Sequence, residues 1–209
     1  PAAYASIMEG SRGELQLPIE RIRIIKEIGK FLTHALSRKY SDIALFRHGG
    51  IMREIIGRFE NKDVNLLADF LARQLPYTFG DVSVKHCVKL QFYKKLRLLI
   101  ADLYALGGVK FKNLERLLIY ADYKIPQVFA AYKVFDLTEE ISRALKNRKL
   151  IPHNSDAEIA LRAASVVAAS ELKKIAKLSY LDIDFRLWLL SRKLPKTALP
   201  YHRTASRFY

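Results

Sequence analysis

The chain has 209 residues, half of them hydrophobic, with Lys and Arg outnumbering Asp and Glu by 36 to 21 for a net charge of +15. That length suits one domain with a substantial core, and a single cysteine, Cys87, excludes an internal disulfide and the multi-cysteine zinc patterns. No apolar run reaches a membrane span and no signal-peptide pattern is seen, so a soluble cytoplasmic protein is expected.

The positive excess favours phosphate-bearing partners, either a small nucleotide or DNA or RNA, with plain solubility as the simpler alternative. It is concentrated: Val82 to Ala101 carries five basic residues and no acid, and Phe185 to Tyr209 carries six and no acid.

Ile19 to Tyr40 has the spacing of a long amphipathic helix, with Ile25, Ile28, Leu32, Ala35 and Leu36 on one face. His48-Gly49-Gly50 breaks the chain before a short helix, Ile51 to Phe59, with Ile51, Ile55 and Ile56 inward. Asn61 or Asp63 caps the helix that carries Leu66, Leu67, Phe70 and Leu71, and Pro76 and Gly80 mark a turn after it. From Val82 to Phe92 the apolar residues Val82, Val84, Val88, Leu90 and Phe92 alternate, which suits a small β-hairpin.

Within Gln91 to Leu106, apolar residues recur at helical steps, interrupted by Lys94, Lys95 and Arg97, and Gly107-Gly108 stops the helix. Leu114, Leu117 and Leu118 predict another helix. Asp122 then stands just ahead of a segment opened by Pro126, where the partial positive charge of a helix N-terminus keeps a carboxylate ionised. Asp136 to Glu139 and Ser155 to Glu158 have capping-box spacing, so Glu158 reads as a cap rather than a catalyst. Ala163 to Ile175 predicts a close-packed core helix, and Leu181 to Arg192 a last helix with Asp184 and Trp188. The expected architecture is an all-α globule of about eight helices plus the small hairpin. It forms one domain over 1–209, with an N-terminal arm (1–16) and a basic C-terminal tail (193–209) docked on the body.

Six segments in order resemble the queuosine salvage proteins, which are queuosine 5′-phosphate N-glycosidases. They are Leu17-Pro18-Ile19-Glu20-Arg21-Ile22-Arg23-Ile24, Phe79-Gly80-Asp81, Phe92-Tyr93-Lys94-Lys95, Ala121-Asp122-Tyr123-Lys124-Ile125-Pro126-Gln127, Ile183-Asp184-Phe185-Arg186-Leu187-Trp188, and His202-Arg203-Thr204 with Phe208-Tyr209. There are departures. Arg97 replaces the family's glutamine, Ala160 its second glutamate in Glu-x-Glu-Ile-Arg, and Leu189 the acid that often follows the tryptophan. The chain also resembles a short version lacking the N-terminal segment that helps form the family's ligand pocket. More distantly, the resemblance implies a fold like helix-hairpin-helix DNA glycosylases, which also pair a helix lysine with an aspartate ahead of a later helix, here 122 − 94 = 28 positions apart.

The resemblance implies hydrolysis of queuosine 5′-phosphate to queuine and ribose 5-phosphate without metal or organic cofactor. Cleavage builds oxocarbenium character at C1′, so a nearby carboxylate stabilises the transition state more than the substrate. In the 7-deazaguanine base carbon replaces N7, which removes protonation at that position and puts more of the demand on charge at the sugar. Asp122 is the candidate carboxylate; its alternative is a helix cap. Lys94 matches the family's lysine, as a cation or as an amine forming a Schiff base, although spacing alone does not separate it from Lys95. Asp184 is placed at the queuine aminomethyl cation or base edge, with a first-turn helix acid as its alternative, Tyr123 and Trp188 as stacking surfaces, with core packing as the alternative for Trp188, and His202 and Arg203 at the phosphate. The competing readings are an 8-oxoguanine base-excision DNA glycosylase and a non-catalytic nucleic-acid-binding module.

Overall fold

A computed structural model describes residues 16–37, 50–107 and 109–208. The expected break at His48-Gly49, most of the N-terminal arm, Gly108 and Tyr209 lie outside these, as do the side chains of Ala35, Leu36 and Ile51. Among the described residues the architecture is mainly α, with nine α-helices against about eight expected and one two-stranded antiparallel sheet. The elements are α1 (Pro18–Ser37), α2 (Gly50–Gly57), α3 (Val64–Gln74), α4 (Pro76–Phe79), β1 (Val82–Lys85), β2 (Val88–Gln91), α5 (Lys94–Ala105), α6 (Lys124–Ala131), α7 (Glu139–Lys146), α8 (Asp156–Ala176) and α9 (Tyr180–Ser191). No described helix is long and apolar enough to cross a membrane.

Local chemistry sets the helix starts. The side chains of Asp63, Thr138, Ser155 and Ser179 accept backbone N–H bonds at the openings of α3, α7, α8 and α9. Thr138, two residues later than the expected Asp136, opens α7. Pro76 starts a one-turn helix instead of a turn, and the side chain of Glu27 on α1 accepts the N–H groups of Tyr77 and Thr78 at 2.9 and 2.7 Å. The expected inner face of α1 is shifted, since Ile25 is 56% exposed.

The hairpin turns through His86 and Cys87 with φ of +46° and +63°, a two-residue turn with both φ positive that matches the strand twist. Its apolar alternation does not mark the buried face: Ser83 is buried, whereas Val84 and Val88 are exposed. Two larger cores divide the helices. Val64, Leu67, Leu71, Leu96 and Ile100 join α3 to α5, and Ile125, Val128, Phe129, Ala169, Ile183 and Leu187 join α6, α8 and α9.

Candidate active site

Leu114, Leu117 and Leu118 do not begin a helix. After one 3-10 turn, Leu114–Arg116, the chain to Asp122 is irregular, and burial alternates: Leu117, Ile119 and Ala121 are buried while Leu118, Tyr120 and Asp122 are only partly so. Leu117 enters the first core and Ile119 the second, so this short segment is threaded between the two helical groups. A threaded segment without a neighbouring strand leaves its backbone N–H and C=O groups in need of partners. Three side chains from three helices supply them. Arg97 on α5 donates to Ile119 O at 3.0 Å, Arg162 on α8 donates to Ala121 O at 2.8 Å, and Asp184 on α9 accepts from Tyr120 N–H at 2.8 Å.

Arg162 is the centre of this arrangement and is fully buried. Its Nη1 and Nη2 donate to the two oxygens of Asp81 at 2.9 and 2.5 Å, and Nη1 also reaches Glu158 Oε1 at 3.3 Å. The guanidinium lies 4.0 Å from the centroid of the Phe92 ring. Asp81 in turn holds the start of α5: its backbone oxygen accepts from Phe92 and Tyr93, and its side chain accepts from Lys94 N–H at 3.4 Å. One buried arginine therefore ties the residue before Asp122 to the turn that begins with Lys94. Glu158 is more than the expected cap, since it also accepts from Asn154 N–H at 3.1 Å. Asp81 appeared in the sequence only inside a family-like motif, and Arg162 only as the arginine that ends the segment 158–162 similar to the family's Glu-x-Glu-Ile-Arg. The i, i+4 spacing of Glu158 and Arg162 on an alanine-rich helix was the available sign of a buried pair.

Asp122 Oδ1 accepts from the N–H groups of Lys124 and Ile125 at 2.7 and 3.3 Å, opening α6 as an N-cap would. Oδ2 has no bond within the described residues. Asp184 is buried, and its carboxyl pKa is pushed up to about 7. Burial is the main cause, the Tyr120 N–H bond opposes it, Asp122 adds to it and Lys94 opposes it. Its bond to Tyr120 N–H sets Asp184 beside the segment that ends at Asp122, within electrostatic reach of Asp122 and Lys94. Arg97 is pulled down to about 10, mainly by burial, while both of its carbonyl bonds, to Ile119 and Gln91, stay in place.

Beside this cluster lies a cleft of about 470 Å³ between the start of α1, the start of α5 and the C-terminal segment. Tyr123, His202 and Arg203 line it, as do Lys95, Arg21 and Arg207. Lys94, Asp122 and Asp184 are not lining residues, but Lys95 and Tyr123 immediately follow the first two in the chain. Tyr123 packs against Tyr201 with ring centroids 4.8 Å apart, and Lys124 Nζ lies 4.4 Å from the Tyr201 centroid. His202 is buried and its pKa falls to about 4, through burial first and then Arg162, so it is neutral at neutral pH and offers no charge. Trp188 does not line the cleft. It is 42% exposed on the outer side of α9, with Phe185 at 6.4 Å and the Arg192 guanidinium at 5.2 Å.

The arrangement is that of a helical protein with clustered carboxylates and a lysine next to a cation-lined cleft. The model of the queuosine salvage protein family matches residues 3–209, and the chain belongs to that family. It is 31% identical to a protein of Sphaerobacter thermophilus over 98% of this chain and 62% of the relative. With a protein of Dictyostelium discoideum it shares 27% over 91% of this chain and 58% of the relative, and with one of Bos taurus 22% over 91% and 57%. All three relatives carry the name queuosine 5′-phosphate N-glycosylase/hydrolase. The chain spans about three fifths of the length of these relatives.

Proposed function

We propose that the chain acts as one helical, cytoplasmic unit that hydrolyses the N-glycosidic bond of queuosine 5′-phosphate, releasing queuine and ribose 5-phosphate. Family membership and the names of the relatives support the reaction. The assignment of residues is supported by the packing: Asp184 accepts from Tyr120 N–H two residues before Asp122, and Arg162 joins Ala121 O to Asp81, whose side chain accepts from Lys94 N–H.

In this reading Asp122 is the ionised carboxylate, and its Oδ2 faces the electron-poor C1′ as the bond to the base breaks. Asp184 still holds its proton near neutrality and donates it to the departing base, so two carboxyl groups take opposite roles through their surroundings. Water adds at C1′ and gives up the proton that restores Asp184. Lys94 balances the charge of the pair, Tyr123 stacks on the flat base, and His202 and Arg203 contact the phosphate end, while Trp188, outside the cleft, takes no part. The pairing of a helix lysine with an aspartate ahead of a later helix also suggests a likeness to helix-hairpin-helix DNA glycosylases.

The test is incubation with queuosine 5′-phosphate, with the nucleoside, and with 8-oxoguanine-containing DNA, followed by chromatography of the released base. Queuine from the nucleotide is expected. Release of 8-oxoguanine alone, or salt-sensitive nucleic-acid binding with no base released from any substrate, refutes the reading.

A further inference from the structure

We propose that a second cavity, outside the catalytic cleft, binds a small organic monocarboxylate with an apolar body. The cavity holds about 580 Å³ and lies between α3, β2, the start of α5, the opening of the threaded segment and α8. That volume suits a small-molecule site. It shares no lining residue with the cleft described above.

The charges of the lining define the ligand. Its cations are Lys89, Arg97 and Arg116, and its one acid is Asp69. Arg116 is already paired with Asp63 at 3.0 Å. Lys89 and Arg97 are left against Asp69, an excess of one positive charge that a monoanion cancels. Arg97 is 7% exposed, yet it forms no ion pair with a described residue, and its two bonds go to the neutral carbonyls of Ile119 and Gln91. A guanidinium carries five N–H donors, so three remain beyond those bonds. Burial pulls Arg97 down to about 10, with Asp81 as the main opposing influence. A buried charge held only by neutral groups is costly, and an anion brought to it lowers that cost. Tyr93 adds a neutral donor. Burial and then Asp69 hold its hydroxyl above the usual tyrosine range, and because its oxygen already accepts from Gln91 Nε2 at 3.0 Å, its own proton is directed elsewhere. Leu90, Phe92, Leu118, Ala163 and Val166 give the apolar walls.

The cavity touches both segments that carry the proposed reaction. Tyr93 immediately precedes Lys94, and Arg97 holds Ile119 O three residues before Asp122. An anion that draws Arg97 toward itself weakens that bond and loosens the segment ahead of Asp122, so occupancy lowers turnover. This coupling rests on the function proposed above; the site does not.

The probe is naphthoate, with neutral naphthamide as its shape-matched control, in titration calorimetry on the full chain. Naphthoate should bind one-to-one and about 10- to 100-fold more tightly than the amide, the difference that a charge-assisted hydrogen bond supplies. Arg97→Met should erase that difference. Ala163→Leu, which narrows the cavity and leaves every charge in place, should weaken both probes, so the outcome does not depend on Arg97→Met folding. Lys95→Met, in the catalytic cleft, should change neither. No binding of naphthoate, equal affinity for acid and amide, or weakening in Lys95→Met but not in Ala163→Leu overturns the site. With queuosine 5′-phosphate as substrate, saturating naphthoate should lower kcat about 5-fold or more and leave KM unchanged. A rise in KM alone puts the probe in the catalytic cleft and overturns the site, whereas unchanged kcat and KM overturn only the coupling. If no base is released from any substrate, the calorimetric arm alone decides the site, and only the proposed reaction fails.

Discussion

Replacing Arg162 with Met tests the central structural reasoning, because it removes one side chain and takes a donor from three groups. Asp81 and Glu158 are 3% and 0% exposed, and both direct a carboxylate oxygen at the guanidinium. Ala121 O loses its 2.8 Å donor in the same step. Breaking a buried ion pair from one side costs about 3–5 kcal/mol, and an unsatisfied carbonyl adds about 1 more. Part of this is recovered when the carboxylates take up protons, so a loss of about 4 kcal/mol is expected, or a fall in Tm on the order of 8–16 °C for a chain of this size. Urea unfolding followed by circular dichroism measures it. The companion variant Arg162→Met with Asp81→Asn should be more stable than Arg162→Met alone, since the amide needs no counter-charge. A loss below about 1 kcal/mol for Arg162→Met, or no recovery in the double variant, would mean that the buried node does not hold the fold as described.

Three further outcomes follow from the same geometry. Asp122→Asn keeps an oxygen for the Lys124 and Ile125 N–H groups, so stability should change little while kcat falls about 100- to 1000-fold; Asp122→Ala should in addition lose about 1 kcal/mol of stability. Equal stability of the Asn and Ala variants would refute the capping part. For pH, Asp184 has a folded pKa of about 7 against 3.8, so its contribution is present in acid and lost as pH rises through 7. His202 has about 4 against 6.5, so its contribution is present above 6.5 and lost as pH falls through 4. These trends oppose each other between pH 4 and 6.5. Asp184→Asn should therefore unmask a rise in stability with pH of up to about 3 kcal/mol over that window in urea titrations, and a flat profile would refute it. Finally, His86 and Cys87 both take positive φ, which Asn-Gly adopts with less strain, so His86→Asn with Cys87→Gly should raise stability by about 1 kcal/mol in thermal unfolding; a loss would contradict the turn geometry.

The sequence alone determined the mainly helical class, the small hairpin, most helix bounds and the family, because these depend on spacing of apolar residues, on local capping and on linear motifs. Asp63 and Ser155 cap helices through neighbours two or three residues away, and such contacts are written into adjacent positions. The path of residues 117 to 122 was not legible. Leu114, Leu117 and Leu118 fit a helical step, and Leu117, Ile119 and Ala121 fit an alternating one just as well. Tertiary structure decided between them by supplying Arg97, Arg162 and Asp184 as backbone partners from helices that begin or end far away in sequence. The same reason hid the Asp81–Arg162 pair, whose members are 81 positions apart, and the gathering of Arg21, Lys95 and Arg207 around one cleft. Periodicity reports which face of an element is buried. Only the packed chain decides which charges share that burial, because the energy of a buried charge is set by what stands opposite it.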